Sequence, residues 1–197
     1  YQDRARKLSA ERKKAAARLS KEVSAAMKEL AMTGGRFEVS LRALPEGSTA
    51  GNEEVEFLVA ANAGTEPRAL VKVVSGGELS RISLAIQVIT SKAAAVPTLI
   101  FDEVDAGIGG AVAEVVGRKL RALGAGRQVL CVTHLPQVAA QAGQQWSVEK
   151  ALEGGTVTSR VRPLEGRSRI EEIARMLGGV EVTATTRKHA AEMLGLR

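Results

Sequence analysis

One cysteine in 197 residues rules out a disulfide within the chain. Cys131 stands in the apolar run Gln128-Val-Leu-Cys-Val-Thr133, which suits a small buried residue in a reducing cytoplasm better than a reactive thiol. Aromatics make up only 3% of the chain, so a core has to be assembled from Val, Leu, Ile and Ala. No uninterrupted run reaches the roughly 18 apolar residues that a membrane helix needs, and no signal peptide is visible. The chain also contains no Gly-Lys pair. The Gly-x-x-x-x-Gly-Lys-Ser/Thr loop, which supplies a backbone nest and a lysine to β- and γ-phosphates, is therefore missing, and tight ATP binding by this chain alone is not expected. A leading Met is missing too: Tyr1 falls within a charged helical pattern, which reads as a fragment or processed product.

What is present suffices for one domain. Apolar residues make up 45% of the sequence. The net charge of +6 is local: residues 1–36 hold ten Lys/Arg against four Asp/Glu, and the remainder is balanced. DNA phosphates are one candidate partner for this basic arm, and a solvated helix face is the other reading. From Asp3 to about Met32 no Pro or Gly interrupts a helical pattern with a thin apolar seam of Leu8, Ala15, Leu19, Val23, Ala26 and Leu30. That seam suits the end of a coiled coil; a surface helix is the alternative. Thr33-Gly-Gly35 stops it.

Alternation at Phe37, Val39, Leu41 and Ala43, and again at Val55, Phe57, Val59 and Ala61, predicts two half-buried strands that pair as a hairpin. Pro45 to Asn52 reads as the loop between them. Ala111 to Leu123 reads as a helix, Gln145–Glu149 and Val157–Arg162 as a hairpin at the sheet edge, and Arg169–Leu177 and Thr183–Leu194 as amphipathic helices. Trp146 reads as a packing residue and His189 as a surface residue.

The chain is organised around Val74-Ser-Gly-Gly-Glu-Leu-Ser-Arg81. Ser75, Gly76 and Gly77 separate an apolar run from a buried helix that opens at Glu78 and Leu79. Free N–H groups at such a helix start, with two glycines that permit close approach, form an anion site. By itself this is also an ordinary capped turn. Thr98-Leu-Ile-Phe-Asp-Glu103 is then an apolar strand ending in paired carboxylates. A continuous apolar run suggests burial on both faces, as in parallel sheets, whose ligands bind beyond the carboxyl ends of the strands. Asp102 suits a hard oxygen-ligated cation such as Mg2+, and Glu103 is placed to position or deprotonate water. The second apolar strand ends at Thr133-His134-Leu-Pro136.

In order and spacing, Ser-Gly-Gly-Glu, Phe-Asp-Glu, Val104-Asp-Ala-Gly107 and Val-Thr-His resemble the signature motif, Walker B, D-loop and switch histidine of an ABC-type ATPase head. The wording Ser-Gly-Gly-Glu-Leu-Ser-Arg, Phe-Asp-Glu-Val-Asp-Ala-Gly-Ile-Gly-Gly and Val-Thr-His-Leu-Pro-Gln-Val-Ala is similar to the RecN branch, bacterial double-strand-break repair proteins related to SMC proteins. The resemblance runs along essentially the whole chain and is strongest from Leu70 to Ala140. It implies an α/β fold: the C-terminal lobe of an ABC/SMC-type P-loop NTPase head (residues 34–197), preceded by the end of a coiled-coil helix (residues 1–33).

What the resemblance further implies is an ATPase acting with ATP and Mg2+ at a head–head interface, coupled to DNA repair and recombination. Ser75, Gly76, Gly77 and Glu78 would meet the nucleotide of the opposite head. Asp102 would hold Mg2+, Glu103 would be the general base, and His134 would contact the γ-phosphate. Asp105 would join the facing head. The implied partners are an N-terminal head half carrying the Walker A loop, a second head in a homodimer, and DNA, in a cytoplasmic, nucleoid-associated setting with no membrane. Two alternatives stand beside this: the nucleotide-binding subunit of another ABC ATPase, or a non-hydrolysing dimerisation or DNA-docking module.

Overall fold

The computed structural model describes residues 1–72, 76–90, 96–153, 156–179 and 181–196. The elements run α1 (Gln2–Glu29), β1 (Arg36–Ser48), β2 (Gly51–Ala60), β3 (Arg68–Ala69), a 3-10 turn (Leu70–Lys72), α2 (Gly76–Thr90), β4 (Thr98–Phe101), α3 (Gly110–Gly124), β5 (Gln128–Cys131), α4 (Pro136–Ala139), β6 (Gln145–Glu153), β7 (Thr156–Leu164), α5 (Gly166–Gly178) and α6 (Ala184–Met193).

Strong helix formers and the absence of Gly and Pro carry α1 through 28 residues, with Asp3 and Lys28 placed favourably at the two ends of its dipole. Ala31, in the left-handed region at φ 61°, ends it. Its last third is core: Val23, Ala26 and Met27, with Leu30 at its C-terminal cap, are buried in one cluster with Phe37 and Val59 of the hairpin and with Ile82, Leu84 and Ala85 of α2. The earlier turns lie along the hairpin, where the Tyr1 hydroxyl donates to Ser48 O at 2.8 Å and Arg12 pairs with Glu53 at 3.5 Å.

β1, β2 and β3 form one antiparallel sheet with β1 at the edge. An edge strand leaves backbone groups unpaired. Two α1 serines one turn apart satisfy them: Phe37 N–H donates to Ser24 Oγ and Val39 N–H to Ser20 Oγ, both at 2.9 Å, and Ser24 Oγ–H lies 3.1 Å from Phe37 O. The expected loop at Pro45–Asn52 is mostly strand. β1 continues to Ser48, and a register irregularity between Ala43 and Ser48 accommodates Pro45, which has no N–H for the ladder.

β4 and β5 pair in parallel, Thr98 with Gln128 through Phe101 with Cys131, and α3 is the crossover. Phe101 is buried on the core side with Leu99, Val129 and Cys131 packed nearby, whereas Ile100 is 70% and Val132 63% exposed. The expectation of burial on both faces is therefore corrected: helices cover one face of this pair, and among the described residues nothing covers the other.

β6 and β7 do form a hairpin, but as a separate two-stranded sheet rather than at the edge of β4–β5. One of its faces carries Trp146, Val148, Leu152, Val157 and Val161, and Trp146 is 60% exposed, so the expectation that it packs is also corrected. A second small core joins Ile173 and Ala174 of α5, Ala190 of α6, and Ala139 and Ala140 at α4. Arg169 ties this unit to the turn after α4, donating from Nη2 to Ala142 O at 2.6 Å.

Candidate nucleotide-binding site

The first turns of α2 lie directly on the loop that follows β4. A Cβ at Gly76 would stand 2.5 Å from Glu103 Oε2, and one at Gly77 would stand 2.9 Å from Ala106 Cβ and 3.1 Å from Ala106 O. Both glycines thus serve close approach rather than turn geometry. Ser80 Oγ donates to Asp102 O at 2.8 Å, and Arg81 Nη1 donates to Ala106 O at 2.5 Å. Arg81 is only 7% exposed. Burial lowers its guanidinium pKa from the ordinary value, with Glu78 acting in the opposite sense. Its Nε is buried and makes no hydrogen bond among the described residues.

The carboxylates sit beyond the end of β4, where ligands of parallel sheets bind. Both are exposed. Glu103 adopts φ 55°, in the left-handed region that non-glycine residues seldom occupy, and its N–H donates to Asp102 Oδ1 at 2.9 Å. Ala106 N–H returns to Glu103 O at 3.1 Å, closing a tight turn. This turn aims the Glu103 side chain at the start of α2.

The resemblance sends Asp105 across a head–head interface; within this chain its side chain is 2% exposed and is held at the end of β5. Oδ2 accepts a short hydrogen bond from the Thr133 hydroxyl and another from His134 N–H at 3.2 Å, and it lies 3.5 Å from His134 Nδ1. The β4 and β5 strand ends are only one strand apart, which is why this inward carboxylate reaches Thr133. The imidazole of His134 is 73% exposed.

The structure therefore gathers Gly76, Gly77, Asp102 and Glu103 into one group and Asp105 with His134 into another, joined by the loop 103–107. Glu78 lies in the first turn of α2, and Ser75 lies outside the described residues. Sequence reading assigned no role to Ser80, Arg81 or Thr133. Arg81 carried a usable signal, since a charge on the buried face of an otherwise apolar helix calls for a partner. Thr133 carried none beyond its position before His134.

Among the described residues no group of three or more His, Cys, Asp or Glu side chains is arranged to hold a metal. A single exposed carboxylate, Asp102, suits Mg2+, which keeps several waters and takes phosphate oxygens rather than an all-protein cage. Cys131 lies behind the site. Burial first, then the charges of Asp105 and Asp102, push its thiol up to about 12. The thiol stays protonated at pH 8, so Cys131 should react with a disulfide reagent far more slowly in the native chain than after unfolding. Equal rates in native and urea-unfolded protein would show the thiol to be unprotected.

These features can be set against known proteins. No family model matches the chain. The DNA repair protein RecN of Xylella fastidiosa (strain Temecula1) is 48% identical over 200 residues, covering 98% of this chain and 35% of the relative. RecN of Haemophilus influenzae is 47% identical over 190 residues, covering 96% and 34%. This chain belongs to the RecN family, as its C-terminal part. It spans about a third of the length of the RecN relatives it matches.

Solved structures agree on the fold of this RecN-family chain. An Smc head domain with a coiled coil and joint from Pyrococcus yayanosii superposes with a TM-score of 0.58 at 22% identity, covering 79% of this chain and 28% of that one. A chain described under ATP-driven dimerization and DNA-stimulated activation of SMC ATPases gives a TM-score of 0.52 at 20% identity, covering 83% and 93%. The architecture is thus that of a C-terminal SMC/ABC-type head lobe. Among the described residues no helix is long and apolar enough to cross a membrane.

Proposed function

We propose that this chain is one lobe of an SMC-like ATPase head that hydrolyses ATP between two heads in DNA double-strand-break repair and recombination. The observation that carries the reading is the contact of the α2 start with the strand-end carboxylates: Gly76 lies against Glu103, and Ser80 holds the backbone of Asp102. The first N–H groups of a helix lack partners within it and its dipole adds positive potential there, which suits a phosphate.

In this reading Ser75, Gly76, Gly77 and Glu78 face a nucleotide held by a second head. Asp102 holds Mg2+, directly or through water, Glu103 acts as general base on the attacking water, and His134 contacts the γ-phosphate. Charge arranged in advance around the phosphates supplies most of the rate in such chemistry. Residues 34–197 form the lobe, and residues 1–33 are the end of a coiled coil that leads into it. The burial of Val23, Met27 and Leu30 in the same core as α2 supports a stiff joint between helix and lobe. The Walker A loop comes from a preceding head half, in keeping with the one-third share of the RecN relatives that this chain spans. DNA is the substrate of the whole protein, and the basic α1 arm is one surface for it. The setting is cytoplasmic and nucleoid-associated.

The test is ATP turnover by this chain alone and after mixing with the complementary part that bears the phosphate loop. The expected result is silence alone and turnover on mixing. Robust activity alone would mean a second phosphate site and would overturn the split-head reading. Silence after mixing, with the two parts shown to associate, would favour a dimerisation or DNA-docking module.

A further inference from the structure

We propose that Asp105 is a positioning residue that holds His134 in place from within its own chain; this rests on the ATPase reading above. The carboxylate is almost wholly buried, yet nothing in the proposed chemistry uses it. Burying a charge is unfavourable unless it is fully partnered. Its partners here are all at the end of β5: the Thr133 hydroxyl, the His134 N–H and, at 3.5 Å, His134 Nδ1. The same Thr133 oxygen accepts from Leu135 N–H at 3.1 Å, so one carboxylate organises three successive residues.

The consequence for the ring is specific. The carboxylate stands 3.5 Å from Nδ1 and so fixes one side of the ring, while 73% of the side chain faces solvent. The logic is that of a buried acid orienting a histidine, in which the acid itself never touches substrate. The loop bearing Asp105 is held on its other side by Arg81, which donates to Ala106 O. The position of His134 is thereby tied to α2 through the loop 103–107.

The experiment uses the full-length protein with Asp105→Ala, Asp105→Asn, His134→Ala, the double variant Asp105→Ala/His134→Ala, and Glu103→Gln as reference. Asp105→Ala should lower kcat by about 10- to 100-fold, as loss of a positioning group does, with KM for ATP within about twofold. Asp105→Asn keeps an acceptor for Thr133 and His134 N–H, and it should fold normally and fall between wild type and Asp105→Ala. On the His134→Ala background the Asp105 change should add less than about twofold, because residues acting through one another do not add. A second readout is independent of turnover: in protein with 15N-labelled histidine, the His134 ring signals should change on Asp105→Asn while those of His189 do not.

Full multiplication of the two losses, or unchanged ring signals, would overturn the inference. If Glu103→Gln abolishes turnover while both Asp105 variants turn over like wild type, the inference fails and the ATPase reading survives. If Glu103→Gln leaves turnover intact, the ATPase reading fails and takes the inference with it.

Discussion

Glu103→Gln in the full-length protein is expected to leave ATP binding intact and to cut turnover by at least about 100-fold, the size of a lost general base. Gln is nearly isosteric with Glu, so the left-handed turn at φ 55°, the N–H donated to Asp102 Oδ1 and the approach to Gly76 are all retained. What disappears is the carboxylate basicity that the proposed mechanism uses to take a proton from water. Stopped turnover with undiminished nucleotide binding would separate these two contributions; ATP binding by fluorescence titration and phosphate release report them independently. Turnover at the wild-type rate would remove Glu103 from the mechanism. The outcome also bears on Asp102, because a Glu103→Gln protein that still requires Mg2+ to bind nucleotide would leave the two neighbouring carboxylates with separate tasks.

Much of this site was legible in the sequence because its residues sit at element boundaries. Ser-Gly-Gly before an apolar helix and Asp-Glu after an apolar strand are local signals; the structure ends β4 at Phe101, just before Asp102, and starts α2 at Gly76, two residues ahead of the expected opening at Glu78. The helices α1, α3, α5 and α6 were legible for the same reason: their periodicity and their Gly or Thr boundaries are local. Tertiary facts were not. Nothing in Val104-Asp-Ala-Gly107 says whether Asp105 points outward to another molecule or inward to Thr133, since that depends on the parallel pairing of β4 with β5. Likewise Ile100 and Val132 read as buried because they are apolar, yet burial depends on what lies over the sheet, and only one side is covered here. The edge of β1 shows the same limit. Ser20 and Ser24 read as polar positions of a surface helix, while in the fold they satisfy the free backbone of Phe37 and Val39.

Phe37→Ala should destabilise the chain by about 3–5 kcal/mol, whereas Trp146→Ala should change stability by no more than about 0.5 kcal/mol. In the sequence the two aromatics look alike, each on an alternating strand. In the structure Phe37 is 1% exposed, with its ring centroid 5.3 Å from that of Phe57, and it belongs to the cluster that holds Met27 and Leu30 of α1. Removing it opens a cavity where α1, the hairpin and α2 meet, and neighbours fixed by the β1–β2 register and the serine contacts of α1 have little freedom to collapse into it. Trp146 has most of its surface in solvent, so its removal leaves no cavity. Urea unfolding of the purified variants decides the matter through the midpoint at unchanged slope. A loss at Trp146 comparable to that at Phe37 would show that the apolar face of the β6–β7 hairpin is covered in solution. A small loss at Phe37 would show that α1 is not held to the hairpin and α2 through this cluster.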